Sequence, residues 1–73
     1  MTSTISTSLA DETYHAIRKR VAAGHWPPGM RLVNRKLGAE LGVSMVPVRE
    51  ALNRLASEGL VEHVPGAGAF VRR

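Results

Sequence analysis

The sequence predicts a small, mostly α-helical domain that ends in a two-stranded β-hairpin. Three segments carry apolar residues at the three- and four-residue spacings of a helix, and a glycine follows each of them. The last segment has two runs of high β-propensity on either side of the turn sequence Pro65-Gly66-Ala67-Gly68. A chain of 73 residues is long enough for one small core. Because it has no cysteine, it can form neither a disulfide nor a thiolate metal site.

The charge of the chain narrows the class of partner. A formal charge of +4 and a pI near 10.8 make it an electrostatic candidate for nucleic acid or an acidic surface. A solvated basic surface without a partner explains the charge equally well. No apolar run approaches the roughly 20 residues that span a bilayer, and the first residues lack the basic start and apolar core of a signal peptide. We therefore expect a cytoplasmic protein without a membrane partner.

The first seven residues differ from the rest of the chain. They are rich in Ser and Thr and carry no charged side chain, which is typical of a flexible terminal arm. No repeat or linker divides the remaining residues. We predict an arm over residues 1–7 and one domain over residues 8–73.

The first helix is predicted over about residues 9–23. Ser8 and Asp11 match a capping box at its start, and Gly24 can end it. Its apolar stripe consists of Leu9, Thr13, Ile17 and Val21, and Ala10, Tyr14 and Ala16 can widen it. Trp26, in the rigid turn after this helix, is interpreted as a core residue; base stacking is the alternative, although single-stranded nucleic-acid binders usually use several aromatic side chains.

A second helix comes after a short predicted strand at residues 30–33. Asn34 is predicted to be its N-cap, and the helix runs to about Leu41. Arg35 and Lys36 lie in the first turn, where positive charge opposes the helix dipole. This mismatch suggests that they face an anionic partner, but two solvated cations fit the sequence as well.

The third helix spans about residues 45–58. Ser44 is predicted to cap it, Pro47 is tolerated in its first turn, and Gly59 ends it. Its buried stripe is Val48, Ala51, Leu52 and Leu55. The hairpin after it cannot be stable alone and must pack on the helices, with Leu60 and Phe70 as its expected anchors.

Residues 34–58 therefore form a helix, a short glycine-containing turn and a second helix. This is the helix-turn-helix pattern, in which the second helix presents its N-terminal residues to the major groove of DNA. The hairpin after the third helix makes it a winged version. The predicted fold class is mostly α with a small β-wing: three helices plus a two-stranded hairpin, with a short strand before the second helix.

Four motifs give the chain a family resemblance from about Leu9 onward. They are PPGMRL (27–32), LGAELGVS (37–44), PVREALNRLASEGLVE (47–62) and GAFV (68–71). In order and spacing they resemble the N-terminal winged-helix domain of the GntR family of bacterial transcription regulators. The resemblance implies sequence-specific binding of double-stranded DNA, with the third helix in the major groove and the wing at 65–68 at the minor groove. It also implies a homodimer on a palindromic operator and a C-terminal effector domain beyond this chain, which would support dimerisation.

The resemblance also assigns DNA contacts by position. Arg35 matches an arginine of the second helix that contacts DNA. Arg49 matches the arginine of P-V-R-E-A-L, which touches a phosphate or a base edge, and Gly68 matches the wing glycine. The start of the recognition helix is occupied by Ser44, Met45, Val46 and Pro47. Two alternatives stay open: Arg49 could pair with an acid of its own chain, and Ser44 could act only as a cap.

Two positions depart from the family pattern. Met45 stands where the family commonly has an arginine, and Ala67 stands where an Arg or Lys often precedes the wing glycine. Met45 and Val46 could read a thymine methyl group, an apolar form of major-groove readout. Met45 could equally be a weakly engaged surface residue.

No catalytic or metal-binding pattern appears in the sequence. The three histidines, His15, His25 and His63, lack metal-ligand spacing, and no nucleophile motif or phosphate-cradling loop is present. We therefore predict neither an enzyme nor a cofactor. His63 could reach a minor groove from the wing or be a solvated strand residue. The alternative function is a winged-helix protein-interaction module without sequence-specific DNA readout.

Overall fold

The computed structural model describes residues 8–73, and the predicted arm at residues 1–7 lies outside the described part of the chain. The elements, in chain order, are α1 (Leu9–Ala22), β1 (Arg31–Leu32), α2 (Asn34–Leu41), α3 (Met45–Ser57), β2 (Val61–Val64) and β3 (Gly68–Val71). Three helices and a small antiparallel sheet confirm the predicted fold class.

The helix ends are set by local chemistry, with one correction. The Ser8 hydroxyl accepts a hydrogen bond from the Asp11 backbone N–H at 3.1 Å, as the capping box predicts. Asn34, however, is not the cap of α2. Val33 holds that position with an extended backbone, and its carbonyl accepts from the Leu37 N–H at 2.9 Å. Because β1 ends directly before it, the chain is already extended at Val33 and the helix starts one residue earlier than predicted.

The sheet contains one strand more than the predicted hairpin. β3 lies between β2 and β1, and both pairings are antiparallel. In the β1 pairing Arg31 is opposite Phe70 and Leu32 is opposite Ala69. The short predicted strand is thus stabilised by the wing, and it ties the wing to the start of α2.

One core joins the helices to the sheet. Its centre is formed by Ile17, Val48 and Leu55, each with 0% of its surface exposed, and α1 packs mainly on α3. Trp26 is buried, as predicted. Leu9 is not part of the core, because 52% of its surface is exposed. Tyr14, one of the residues expected to widen the stripe, is buried.

The anchors of the wing differ from those expected. Side chains alternate between the faces of a strand, and in β3 the buried positions are Ala69 and Val71. Phe70 therefore lies on the outer face of the sheet and is only half-buried. Val61 and Val71, which are paired across the hairpin, anchor the wing, while Leu60 packs against the edge of the core.

A polar cluster on the surface fixes α3 against α1. The Arg54 guanidinium forms an ion pair with Asp11 at 3.1 Å, and its Cζ lies 3.8 Å from the centre of the Tyr14 ring. The Tyr14 hydroxyl donates to Glu58 Oε1 at 2.6 Å. This hydrogen bond to a carboxylate raises the pKa of Tyr14 above its ordinary value.

Candidate nucleic-acid interface

An open groove of about 740 Å³ separates the wing from the starts of α2 and α3. It is lined by residues 31–35, Met45, Arg49, Leu52 and residues 63–69. The short β1 strand lies between the two sides, because it pairs with the wing and leads directly into α2. The groove thus brings together segments that lie far apart in the sequence.

The groove has a positive lining. Three arginines, Arg31, Arg35 and Arg49, contribute to it together with His63, and no acidic side chain is among its lining residues. Within residues 8–73, the ion pairs all belong to Arg54. The intramolecular pair considered for Arg49 is therefore not found in this part of the chain. The three guanidinium groups remain available to an anionic ligand.

Two neighbouring apolar side chains are exposed at the N-terminal end of α3. Met45 is 47% exposed and Val46 is 57% exposed. Ser44 occupies the cap position, as predicted, but its hydroxyl makes no cap hydrogen bond. Its hydroxyl and the first N–H groups of α3 are thus free to bind a ligand. Pro47 is buried, so its side chain faces the protein.

The wing turn brings its backbone close to an arginine. Gly68 has a φ of 120°, which a residue with a side chain rarely adopts, and Gly66 has a φ of 78°. A Cβ atom on Gly68 would lie 3.1 Å from the Nε atom of Arg31. The glycine therefore leaves the space that the Arg31 side chain occupies.

Of the residues singled out from the sequence, the structure places Arg35, Met45, Arg49 and Gly68 in the groove lining. Ser44 and Val46 are exposed beside it, at the start of α3. Arg31 also lines the groove, although the sequence motifs do not single it out. The sequence signal for it is the predicted strand at residues 30–33. Because neighbouring side chains of a strand face opposite sides and Leu32 is buried, Arg31 faces outward. The pairing of this strand with the wing could not be read from the sequence.

Residues 8–73 offer neither a membrane span nor a metal site. None of the helices there is long and apolar enough to cross a membrane. No group of three His, Asp or Glu side chains in that range could hold a metal ion.

Comparison with known proteins identifies the family. The model for "Bacterial regulatory proteins, gntR family" matches residues 9–71, which is nearly the whole described chain. The chain belongs to the GntR family. A relative from Streptomyces ambofaciens, an uncharacterized HTH-type transcriptional regulator, is 44% identical over 62 residues, or 85% of this chain. The chain spans 26% of the length of that regulator and 39% of a second one, from Agrobacterium vitis.

Two solved structures share the fold. A putative transcriptional regulator GntR from Rhodococcus sp. RHA1 superimposes with a TM-score of 0.85, at 36% identity, over 92% of this chain and 32% of its own. BusR from S. agalactiae, solved in complex with its busAB promoter DNA, gives a TM-score of 0.80 at 26% identity. That match covers 93% of this chain and 34% of BusR.

Proposed function

We propose that residues 8–73 form a domain that binds double-stranded DNA in a sequence-specific manner, as part of a GntR-type transcription regulator. The recognition helix, about residues 45–58, lies in the major groove, and the wing at 65–68 lies at the minor groove. The main support for this proposal is the groove beside the exposed start of α3, which is lined by three arginines and by no Asp or Glu. The structure of BusR with promoter DNA supports it by fold likeness.

The shape of the groove suggests which part of the DNA it holds. In a duplex, one phosphate backbone separates the major groove from the adjacent minor groove. If α3 enters the major groove and the wing lies along the minor groove, this backbone runs along the cleft between them. Arg35 then faces phosphates, and Arg49 lies where it can bind either a phosphate or a base edge. Phosphates and sugars together receive more than half of the hydrogen bonds of DNA-binding proteins.

Sequence readout falls to the start of α3. Arg49 can bind a guanine edge or a phosphate with two parallel hydrogen bonds. The exposed Met45 and Val46 offer apolar contact to a thymine methyl group, and the Ser44 hydroxyl can donate to a phosphate. The buried Pro47 shapes the first turn, and the Gly68 backbone lies at the minor groove.

The proposal extends to the longer protein that contains such a domain. Two copies of the domain, held as a homodimer by the effector part of the regulator, would bind the two halves of a palindromic operator. Half-sites about 34 Å apart, one helical turn, would place both recognition helices on the same side of the DNA. Because the DNA of a bacterial cell lies in its cytoplasm, a regulator that binds this DNA would also be cytoplasmic.

A salt series tests whether the domain binds DNA through the groove. Binding of a fluorescent mixed-sequence duplex should weaken linearly with the logarithm of salt concentration, because each phosphate contact releases a counterion. Arg49→Ala should weaken binding to a preferred duplex by about 1–3 kcal/mol, or roughly 5- to 150-fold. Arg18→Ala, which removes the same charge from the exposed face of α1, is the matched control and should bind nearly as wild type does. If Arg49→Ala keeps wild-type affinity and salt slope, the proposed role of the groove is refuted.

The alternative is a winged helix that binds another protein. The exposed apolar side chains of Met45 and Val46 favour this interpretation. Such a module would bind duplex DNA weakly or not at all throughout the salt series. In contrast, its binding to a protein partner would depend on the two apolar residues more than on the groove arginines.

A further inference from the structure

The wing of this protein has no basic side chain of its own within the turn. Ala67 stands directly before Gly68, at the position where the family pattern often has an Arg or Lys. Residues 63–69 contain no Lys or Arg. A wing that lies along a DNA backbone with so little charge would contribute little to the electrostatic part of binding.

Arg31 brings a positive charge to this turn from the neighbouring strand. Arg31 lies opposite Phe70 in the β1–β3 pairing, so both side chains are on the outer face of the sheet. Gly68 is two residues before Phe70 and belongs to the same face. The Arg31 side chain extends diagonally along this face, and its Nε and Nη2 atoms lie 3.1 and 3.7 Å from the position of a Cβ on Gly68.

The Arg31 guanidinium has no competing partner in the described chain. It forms no ion pair or side-chain hydrogen bond within residues 8–73, and it is exposed. Glu62 is on the same face of the sheet, but it lies beyond Phe70 on the far strand. Arg31 also lines the groove that contains Arg35 and Arg49. Its charge is therefore directed to the side of the molecule on which those two arginines lie.

We propose that Arg31 is the phosphate-binding residue of the wing, and that Gly68 positions it by leaving room for its guanidinium. This inference rests on the proposed DNA-binding function. The contact is to the phosphate backbone at the edge of the minor groove. It replaces the charge that Ala67 does not supply. Arg31 thus sets the affinity for DNA of any sequence, whereas base choice belongs to the start of α3.

The test is the salt dependence of an Arg31→Gln variant, which loses the charge but keeps most of the aliphatic stem. Loss of one phosphate contact should reduce the slope of log K against log salt by about 0.9 and lower affinity roughly tenfold at about 0.1 M salt. The loss should be the same on a mixed-sequence duplex and on a preferred one, because a phosphate contact carries no sequence information. Arg31→Lys should restore the slope, and Arg18→Gln is the control for a charge lost elsewhere.

A double-substitution cycle tests the part played by Gly68. Gly68→Ala places a methyl group 3.1 Å from Nε and should weaken binding in the wild-type background. Gly68→Ala also strains the backbone, but this strain is the same whether residue 31 is Arg or Gln. With Gln at position 31 there is no guanidinium for the methyl group to displace. Gly68→Ala should therefore cost less affinity in the Arg31→Gln background than in the wild-type background. An equal cost in both backgrounds would show that Gly68 does not position Arg31.

The outcomes separate this inference from the function on which it rests. If the wild-type chain binds duplex DNA, Arg49→Ala weakens binding and Arg31→Gln leaves affinity and slope unchanged, the role of Arg31 is wrong and the proposed function stands. A loss confined to the preferred duplex would assign base readout to Arg31 and overturn the phosphate contact. If the wild-type chain does not bind duplex DNA, both proposals fail together.

Discussion

Two arginines of α3 should respond to replacement in opposite ways. Arg54 is engaged by its own protein, through the ion pair with Asp11 and the ring of Tyr14. Arg49 is exposed, lines the groove and forms no ion pair within residues 8–73. We therefore expect Arg54→Ala to lower stability and leave DNA affinity nearly unchanged. Arg49→Ala should lower DNA affinity and leave stability nearly unchanged.

The size of the stability effect depends on the contacts of Arg54. Side chains of Arg54 and Asp11 are 48% and 47% exposed, so solvent screens their ion pair and it contributes only about 0.2–1 kcal/mol. The contact with the Tyr14 ring adds about 0.5–1 kcal/mol, because the ring is buried but the Arg54 side chain is half-exposed. Arg54→Ala should thus cost roughly 1–2 kcal/mol, and each kcal/mol lowers Tm by about 4–8 °C in a domain of this size. Arg49→Ala should change the free energy of unfolding by less than about 0.5 kcal/mol.

Thermal unfolding measured by circular dichroism and duplex affinity measured by fluorescence anisotropy give both quantities for each variant. The affinity measurement has to be made well below the Tm of the weaker variant, so that both proteins are folded. The roles of the two arginines are wrongly assigned if Arg49→Ala unfolds at lower temperature but keeps its affinity. They are equally wrong if Arg54→Ala retains full stability and loses DNA binding.

Three further predictions concern the core, the helix caps and an alkaline titration. Leu55→Ala removes a fully buried side chain and should lower the free energy of unfolding, measured in urea, by about 2–5 kcal/mol. Leu9→Ala, at a half-exposed position, should lower it far less. Equal losses would contradict the assigned core. Ser8→Ala should cost about 1 kcal/mol because it removes a cap hydrogen bond, while Ser44→Ala should cost less than about 0.5 kcal/mol and show its effect in DNA affinity. Tyr14 holds its proton more tightly in the folded than in the unfolded state, so stability should fall as pH rises above about 10. Ultraviolet absorbance of this single tyrosine measures its pKa, and a value at or below the ordinary one would contradict its hydrogen bond.

The parts of the fold that local chemistry determines were predictable from the sequence. Ser8 caps α1 and Gly42 ends α2 with a φ of 73°, because cap and stop signals act within a few residues. The buried stripe of α3 is determined by helical spacing alone. Asn34 has a side chain suited to an N-cap, but the extended strand before it, which depends on tertiary pairing, moves the cap to Val33.

The parts that depend on strand pairing were not predictable. Phe70 is the largest apolar side chain of its strand, but the register places Ala69 and Val71 on the inner face. Register cannot be read from a four-residue strand without its partners. The position of Arg31 beside Gly68 is not predictable for the same reason, because it exists only once β1 pairs with β3.

The candidate site was predictable in part. Helical spacing and the motif resemblance pointed to Arg35, Met45 and Arg49, and the structure brings these three into one groove with Gly68. The same reasoning included Pro47, whose side chain is buried. A motif indicates which segment faces the ligand, while the direction of each side chain depends on the packed structure.

Selection of bound duplexes from a random library measures whether this domain reads DNA sequence. The wild-type chain should enrich one short motif over the input library, because the start of α3 presents Arg49 and two apolar side chains to base edges. The same selection with Arg49→Ala should give a weaker or relaxed motif, and with Arg31→Gln it should give the wild-type motif at lower yield. Recovery of sequences indistinguishable from the input library would contradict sequence-specific readout by this domain.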